Sequence, residues 1–284
     1  MHVSLDSALG RQRRLNSVSE SVLQIAPSAA AAYSLRSLTG GDPKVVRVRR
    51  DTGGGAGDND EEDFTVSGIS SGALVDFVGS GNDGFVETWY DQSGNGNDAV
   101  QADAAKQPKI VDAGSLLTAG VTFDGGDSIS VSGEPVITAS SSGTYSAFSI
   151  QTVATGEAGY LYGNASASNG TSAYALSSSK FTISNDFGTN LDNIARSSGQ
   201  NLLSAVYNNG DAGLLVNGAG TMTNAGTYNF SAGTSDFIIG NRNGGTSSGT
   251  FLTGSIQEII VYNSNQSSNR TALETEIISH YGIS

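Results

Sequence analysis

Cysteine is absent from the 284 residues, which excludes a disulfide framework, a thiolate metal site and a cysteine nucleophile. Histidine occurs only as His2 and His280, close to the two ends, so a Ser/His/Asp triad has no convincing base. No apolar run approaches the roughly eighteen residues of a membrane-spanning helix, and the amino terminus carries no apolar secretory segment. Membrane insertion and Sec export are therefore not expected, and synthesis in a cytoplasm is. Only four prolines punctuate the chain.

Glycine does that work instead, with 38 copies; it supplies the positive φ that tight turns demand. From Phe64 onward, runs such as ALVDFVG, GFVETWYD, KIVDAG, GVTFDG, SISVSG, GYLYGN, DFIIGN and SIQEIIVY are short and bounded by Gly, Asn, Asp or Ser. That spacing predicts an all-β sandwich or jelly roll of antiparallel strands. Upstream, SAAAAYSLRSL after Pro27 has high helix propensity and a Gly40-Gly41 stop, which predicts a short helix. Lys44 to Arg50 alternate as a strand with one wet face, followed by a flexible acidic loop, DTGGGAGDNDEED, able to fold back over Arg47, Arg49 and Arg50. The stretch SSNRTALETEIISHYG predicts a closing helix with a serine cap and a stop at Gly282.

The net charge of −13 is unevenly spread. Eight of the fourteen basic residues lie in the first fifty positions against Asp6, Glu20 and Asp42, so that stretch carries +5 and the remainder −18. Few aromatics sit among the arginines, and a nucleic-acid partner is not expected. Residues 3 to 25 space Leu5, Leu9, Leu15, Val18, Val22 and Ile25 as two short amphipathic pieces interrupted at Gly10. Such pieces are marginal alone, so a protein surface is the expected partner, contacted through Leu5, Leu9, Arg11, Arg13, Arg14 and Leu15.

The blocks AYSLRSL, VRVRRD, LVDFVGSGNDGFVETWYDQSGNGNDAVQA and QPKIV, in that order, resemble the amino-terminal half of the catalytic domain of the α-L-arabinofuranosidase B family and of tailed-phage particle proteins that share it. The ending GTFLTGSIQEIIVYNSNQSSNRTALETEIISHYGI is similar to the end of concanavalin A-like lectin/glucanase domains. The opening SLDSALGRQRRLNSV looks like the leader of tailed-phage virion proteins. The resemblance implies a concanavalin A-like jelly-roll sandwich of two antiparallel sheets over residues 31–284, with a helical anchoring segment over residues 1–30 and a carboxy-terminal helix. It is a fold that hosts both glycosidases and non-catalytic glycan binders.

Glycoside hydrolysis needs two carboxylates roughly 5 to 10 Å apart. The laminarinase-like E-x-D-x-x-E pattern is absent, and Asn241 and Arg242 stand near where the resemblance would place an acid before Gly249-Thr250-Phe251. Arginine is no proton donor at neutral pH, and the adjacent cysteines of the arabinofuranosidase pocket are missing, so no catalytic residue is assigned. Glu87, Asp91, Asp98, Asp124, Asp127, Glu134, Glu157, Asp186 and Glu258 remain as acids that could pair across a cleft, though most carboxylates of an acidic domain are simply solvated. In TWYDQSGNGNDAVQA, Trp89 reads as core. Asp91 to Asp98 read as a self-bonding turn, with Asp91, Asn95, Asn97 and Asp98 as an alternative Ca²⁺ site. Tyr160, Tyr162, Asn164, Tyr174, Asn241 and Arg242 supply aromatics and polar groups for a glycan groove. The expected role is a phage virion protein, a homotrimer or other homo-oligomer, held to particle proteins by its amino terminus and displaying a jelly roll to host glycans, with no cofactor. The alternatives are an arabinofuranosidase-like hydrolase and a capsid cement protein.

Overall fold

The computed structural model describes residues 20–133, 136–137, 144–154, 157, 159–164, 173–176, 180–186, 189–195, 199–208, 211–224, 236–241 and 250–283. The described elements open with a helical turn α1 (Val22–Ile25), then strands β1 (Ala31–Ser34), β2 (Lys44–Asp51) and β3 (Glu61–Thr65), and two short helices α2 (Val66–Ser70) and α3 (Ala73–Val78). Next come β4 (Asp83–Trp89), β5 (Ala99–Val100), β6 (Lys109–Asp112), β7 (Ser115–Leu116), β8 (Val121–Asp124), β9 (Ile129–Val131), β10 (Thr144–Thr152) and β11 (Gly159–Asn164). After them come β12 (Ala173–Leu176), β13 (Lys180–Asp186), β14 (Thr189–Ala195), β15 (Gln200–Asn208), β16 (Asp211–Val216), β17 (Ala219–Asn224), β18 (Phe237–Ile239), β19 (Thr253–Tyr262) and helix α4 (Arg270–Tyr281).

All the strand pairings described are antiparallel. One layer runs β17-β16-β15-β10-β19, with β1 and β8 sharing the far edge of β19. The other runs β14-β13-β12-β11-β18-β9-β5-β4-β2-β3. Strand β6 bonds to both β4 and β8 and joins the layers into one system. This is the all-β jelly-roll sandwich the sequence predicts.

Side-chain alternation explains why the central strands are apolar on both faces. In β10, Tyr145 and Ala147 enter the core between the layers, while Phe148 and Ile150 point outward into a second core. Strand β19 does the same with Ile259 and Val261 inward and Ile260 and Tyr262 outward. The outer core is closed by Leu273 and Ile277 of α4 and by Val22, Ala26 and Ala29 in and after α1, all of them buried. Burying Leu273 and Ile277 stabilises the docked helix by roughly 3 to 6 kcal/mol. Residues 20 to 30 thus pack on the jelly roll itself, and the Tyr262 hydroxyl donates to the Ala26 carbonyl at 2.9 Å.

Three local expectations are corrected. SAAAAYSLRSL does not form a helix: Ala31 to Ser34 pair with Val261 to Glu258 as β1. Burial of Ala32 and Tyr33 between ladder and core outweighs the weak preference of alanine for helix. ALVDFV, read as a strand, is the helix α3, which buries Leu74 and Val78 at helical spacing. Helix α4 starts on Asn269 without a side-chain cap, though it does stop at Gly282 in the left-handed conformation with φ 64°. The acidic run behaves as a ladder: β3 lies on β2, with Arg47 bonded to Glu61 at 2.9 Å and Asp63 at 3.0 Å, and Arg50 to Asp60 at 2.6 Å.

Gly240, just past β18, has φ +86°, and an added Cβ would lie 2.4 Å from the buried ring of Phe123 and 3.2 Å from the Asp127 carbonyl. Gly240→Ala is therefore expected to lose about 2 to 3 kcal/mol in urea unfolding, from strain plus overpacking. A loss below about 0.5 kcal/mol would show that this corner yields.

Candidate functional site

Asp91 in the DQSGNGND turn is fully engaged. Its Oδ1 accepts from the Ala32 amide at 2.8 Å and the Ser93 amide at 2.9 Å; its Oδ2 accepts from the Ser93 hydroxyl at 2.6 Å and the Asn97 amide at 3.1 Å. Asp98 accepts from the Asp91 amide at 2.8 Å, Asn95 Nδ2 donates to the Ala29 carbonyl at 2.8 Å, and Asn97 Nδ2 to the Ala30 carbonyl at 2.8 Å. The turn therefore satisfies the free edge of β1, whose other edge is on β19. A Ca²⁺ ion at Asp91, Asn95, Asn97 and Asp98 would have to displace these donors before reaching carboxylate oxygen. Trp89, beside this turn, is fully buried with Tyr33 at 5.8 Å between ring centroids.

The groove residues scatter. Tyr162 lies in the core, its hydroxyl donating to Ser149 Oγ at 3.1 Å and its ring 6.1 Å from Phe237. Asn164 is buried and clamps the backbone of Ile137 through both amide atoms. Both side chains are buried, so neither offers a sugar platform. Asn241 is also buried: its Oδ1 accepts from the Thr250 hydroxyl at 2.6 Å, while its Nδ2 has no hydrogen-bond partner among the described residues. Tyr160 is half-buried, with its amide on the Thr250 carbonyl at 3.1 Å. Tyr174 pairs through its backbone with Tyr162 and Ile183. Arg242 lies outside the described residues, as do Leu5, Leu9, Arg11, Arg13, Arg14 and Leu15.

The described residues do form an open cleft of about 500 Å³ on the outer face of β2, β4, β6 and β8. Strand register lines up its floor, because Arg49 lies opposite Phe85, Phe85 opposite Lys109, and Lys109 opposite Thr122. The Arg49 guanidinium is 4.9 Å and the Lys109 ammonium 5.6 Å from the Phe85 ring centre, a cation–π arrangement that holds both cations in place. Arg49 is 6% exposed, donating to Gln107 Oε1 at 2.7 Å and Asn59 Oδ1 at 3.0 Å. Lys109 bonds Asp83 and Asp112, each at 2.8 Å, and these partners raise its pKa.

Asp124 and Asp127 close one end, flanking the Gly125-Gly126 turn between β8 and β9. The Asp124 amide donates to Asp127 Oδ2 at 3.0 Å and the Gly126 amide to Asp124 Oδ1 at 2.8 Å. Asp127 is 7% exposed. Burial, reinforced by the neighbouring Asp124 carboxylate, raises its pKa to about 7 against the pull of the Asp124 amide and Lys109. Burial thus favours the neutral form of Asp127, in which the carboxyl can donate as well as accept. The sequence reading placed these two among nine free-standing acids and passed over Arg49 and Lys109. The signal it had was Asp-Gly-Gly-Asp, a turn with an acid at each end.

No known family profile matches this chain, and no curated protein matches its sequence. Solved structures do match. A GH54 α-L-arabinofuranosidase soaked with a cyclic sulfate inhibitor superposes with a TM-score of 0.67 at 15% identity, covering 88% of this chain and 62% of that one. A GH54 mutant soaked with 4-nitrophenyl α-L-arabinofuranoside gives 0.67 at 14%, over the same shares. An arabinofuranosidase complexed with arabinofuranosyl-α-1,2-xylobiose gives 0.64 at 13%, again with 88% and 62% covered. The fold is that of the GH54 arabinofuranosidases. At such identity the GH54 likeness is one of backbone, and this chain spans 62% of the length of those enzymes.

Proposed function

We propose that this chain is a carbohydrate-binding jelly roll of a bacteriophage particle, and that saccharide occupies the cleft over Arg49, Phe85, Lys109 and the Asp124–Asp127 pair. The observation that carries the reading is a water-open cleft whose donors and acceptors are held rigid, on a fold otherwise met in carbohydrate-active enzymes. Planar and charged groups fixed by their own partners can meet sugar hydroxyls without further ordering cost. Both cations lie over the Phe85 ring, so recognition is polar rather than by ring stacking. Hydrolysis is the second reading, favoured by an acid that keeps its proton near neutrality. Against it, the two carboxyls belong to one tight turn, the Asp124 amide bonded to Asp127 Oδ2 at 3.0 Å, rather than facing each other across a glycosidic bond.

The particle role rests on the leader resemblance and on the cationic first fifty residues, with residues 1–19 holding other virion proteins and the chain assembling as a homo-oligomer. Deleting residues 2 to 19 spares Val22 and Ala26 in the outer core; the expected product folds but no longer joins particles, and its incorporation would refute the anchor.

Calorimetric titration with arabinofuranosyl-xylobiose, and a glycan array, test the cleft. Arg49→Ala is expected to weaken any saccharide bound there by about tenfold or more, a loss of about 1.4 kcal/mol. Equal affinity in the variant would remove the cleft from the reading. Release of 4-nitrophenol from 4-nitrophenyl α-L-arabinofuranoside, abolished in Asp127→Asn, would promote hydrolysis above binding. An array without hits, together with particles that lose stability without the protein, would favour a cement role.

A further inference from the structure

We infer that the cleft selects amine-bearing saccharides: the ammonium group of an amino sugar is held by the Asp124 and Asp127 carboxyls, and acidic sugars are turned away. This rests on the saccharide reading above, which it narrows to one class of ligand.

Charge pairing singles out these two acids. Asp83 and Asp112 each hold Lys109 at 2.8 Å, and Asp51 lies 3.6 Å from Arg49. Arg49 is further committed to Gln107, Asn59 and, at 3.5 Å, the Ala104 carbonyl. Lys106, next to Ala104 and Ala105 of the rim, is bonded to Asp103 at 2.9 Å. Each cation in and beside the cleft already has an acid. Asp124 and Asp127 form no ion pair among the described residues, although both line the cleft.

Each of the two also keeps one oxygen open. Asp127, 7% exposed, takes the Asp124 amide on Oδ2, and the exposed Asp124 takes the Gly126 amide on Oδ1. No amide or hydroxyl among the described residues donates to Asp127 Oδ1 or Asp124 Oδ2. A carboxyl as buried as Asp127 is costly to leave half-satisfied. This end of the cleft therefore presents acceptors that a ligand has to match with donors.

The kind of donor follows from charge and geometry. An ammonium group is compact, cationic and carries three N–H donors, so one group can reach both open oxygens. Its charge also offsets the cost of ionising Asp127 beside Asp124, because an opposite charge in contact favours the ionised form. A neutral hydroxyl donates but brings no such compensation. A sugar carboxylate or phosphate would meet like charge here, with Arg49 and Lys109 already matched by Asp51, Asp83 and Asp112. Calcium fits less well, since it takes about six to eight oxygens, and no group of three or more potential metal ligands occurs among the described residues. At about 500 Å³ the cleft is large enough for a small sugar.

Calorimetric titration of the full chain near pH 7 compares the β-1,4-linked dimer of glucosamine, its N-acetylated counterpart and digalacturonate. The amine dimer should bind about tenfold or more tightly than the acetamide, and the acid should not bind. Raising salt to about 0.5 M should remove most of the amine's advantage, because charges at an open cleft are screened. Asp127→Asn keeps an oxygen for the Asp124 amide while removing the charge, and should bring the two dimers within about twofold of each other. Asp124→Asn, at an exposed position with less bearing on the fold, should shrink the advantage in the same direction. Equal affinity for both dimers in the native chain, or an advantage that survives both substitutions, would overturn the inference and leave the saccharide reading standing. Spermidine bound by the native chain and lost in Asp127→Asn, with no saccharide bound, would refute the saccharide reading and keep the ammonium site. If neither spermidine nor the amine dimer binds, the ammonium site is refuted.

Discussion

Glu258→Ala is expected to cost about 3 to 5 kcal/mol in urea unfolding, the range for removing one partner of a buried ion pair. Glu258 is 1% exposed on the outer face of β19, beneath α4. It accepts from Arg36 Nε at 2.7 Å and Nη2 at 3.1 Å, from Ser34 Oγ at 3.0 Å and from the Tyr281 hydroxyl at 3.0 Å. Arg36 grips Glu276 of α4 through two further bonds, of 2.6 and 2.8 Å, and lies 5.4 Å from the Tyr281 ring centre. Alanine would leave Arg36 half-paired and two buried hydroxyls without their acceptor. Glu276→Ala should cost only about 1 kcal/mol, since Arg36 keeps its better-buried partner. Replacing Arg36 by methionine and Glu258 by leucine together should recover much of the loss, because an apolar pair of similar volume avoids desolvating charge. A Glu258→Ala loss near 1 kcal/mol would mean that water reaches the network and screens it.

Asp91→Ala is expected to lose about 3 kcal/mol, the second largest effect. One carboxylate serves three backbone amides and a hydroxyl, and the Ala32 amide is buried with no alternative acceptor from the paired edge of β1. Leaving such a donor unpaired costs about 1 to 3 kcal/mol by itself, and the loop that closes over β1 loses its centre. Asp91→Asn should lose about half as much, since one amide oxygen can still accept. Thermal unfolding with and without millimolar Ca²⁺ separates this role from ion binding. A structural turn predicts the same midpoint in both; a rise confined to the native chain would restore Asp91, Asn95, Asn97 and Asp98 as a metal site.

Some of this was legible beforehand. The self-bonding turn at Asp91 to Asp98, the core position of Trp89, the acidic ladder over the arginines of β2 and the closing helix each follow from local chemistry: short polar side chains beside glycine, an apolar approach to an indole, opposite charges on neighbouring strands, and period-3.6 apolar spacing. The failures have one character. Ala31 to Ser34 and Ala73 to Val78 exchanged strand for helix because short apolar runs carry no periodicity long enough to decide. Tyr162 and Asn164 were picked for a surface groove, but whether a strand residue faces core or water depends on which layer covers it.

Composition and pattern alone established an all-β chain of short antiparallel strands joined by glycine turns, without disulfides and with a charge-split amino-terminal region, because those properties are set by residues close together in sequence. The tertiary structure alone decided that Arg49, Phe85, Lys109 and Thr122 share one row, that Asp127 lies buried beside Asp124, and that Glu258 lies buried beneath Arg36. Register between strands far apart in the chain brings these groups together, and burial then sets their charge; neither is encoded in any single stretch of sequence.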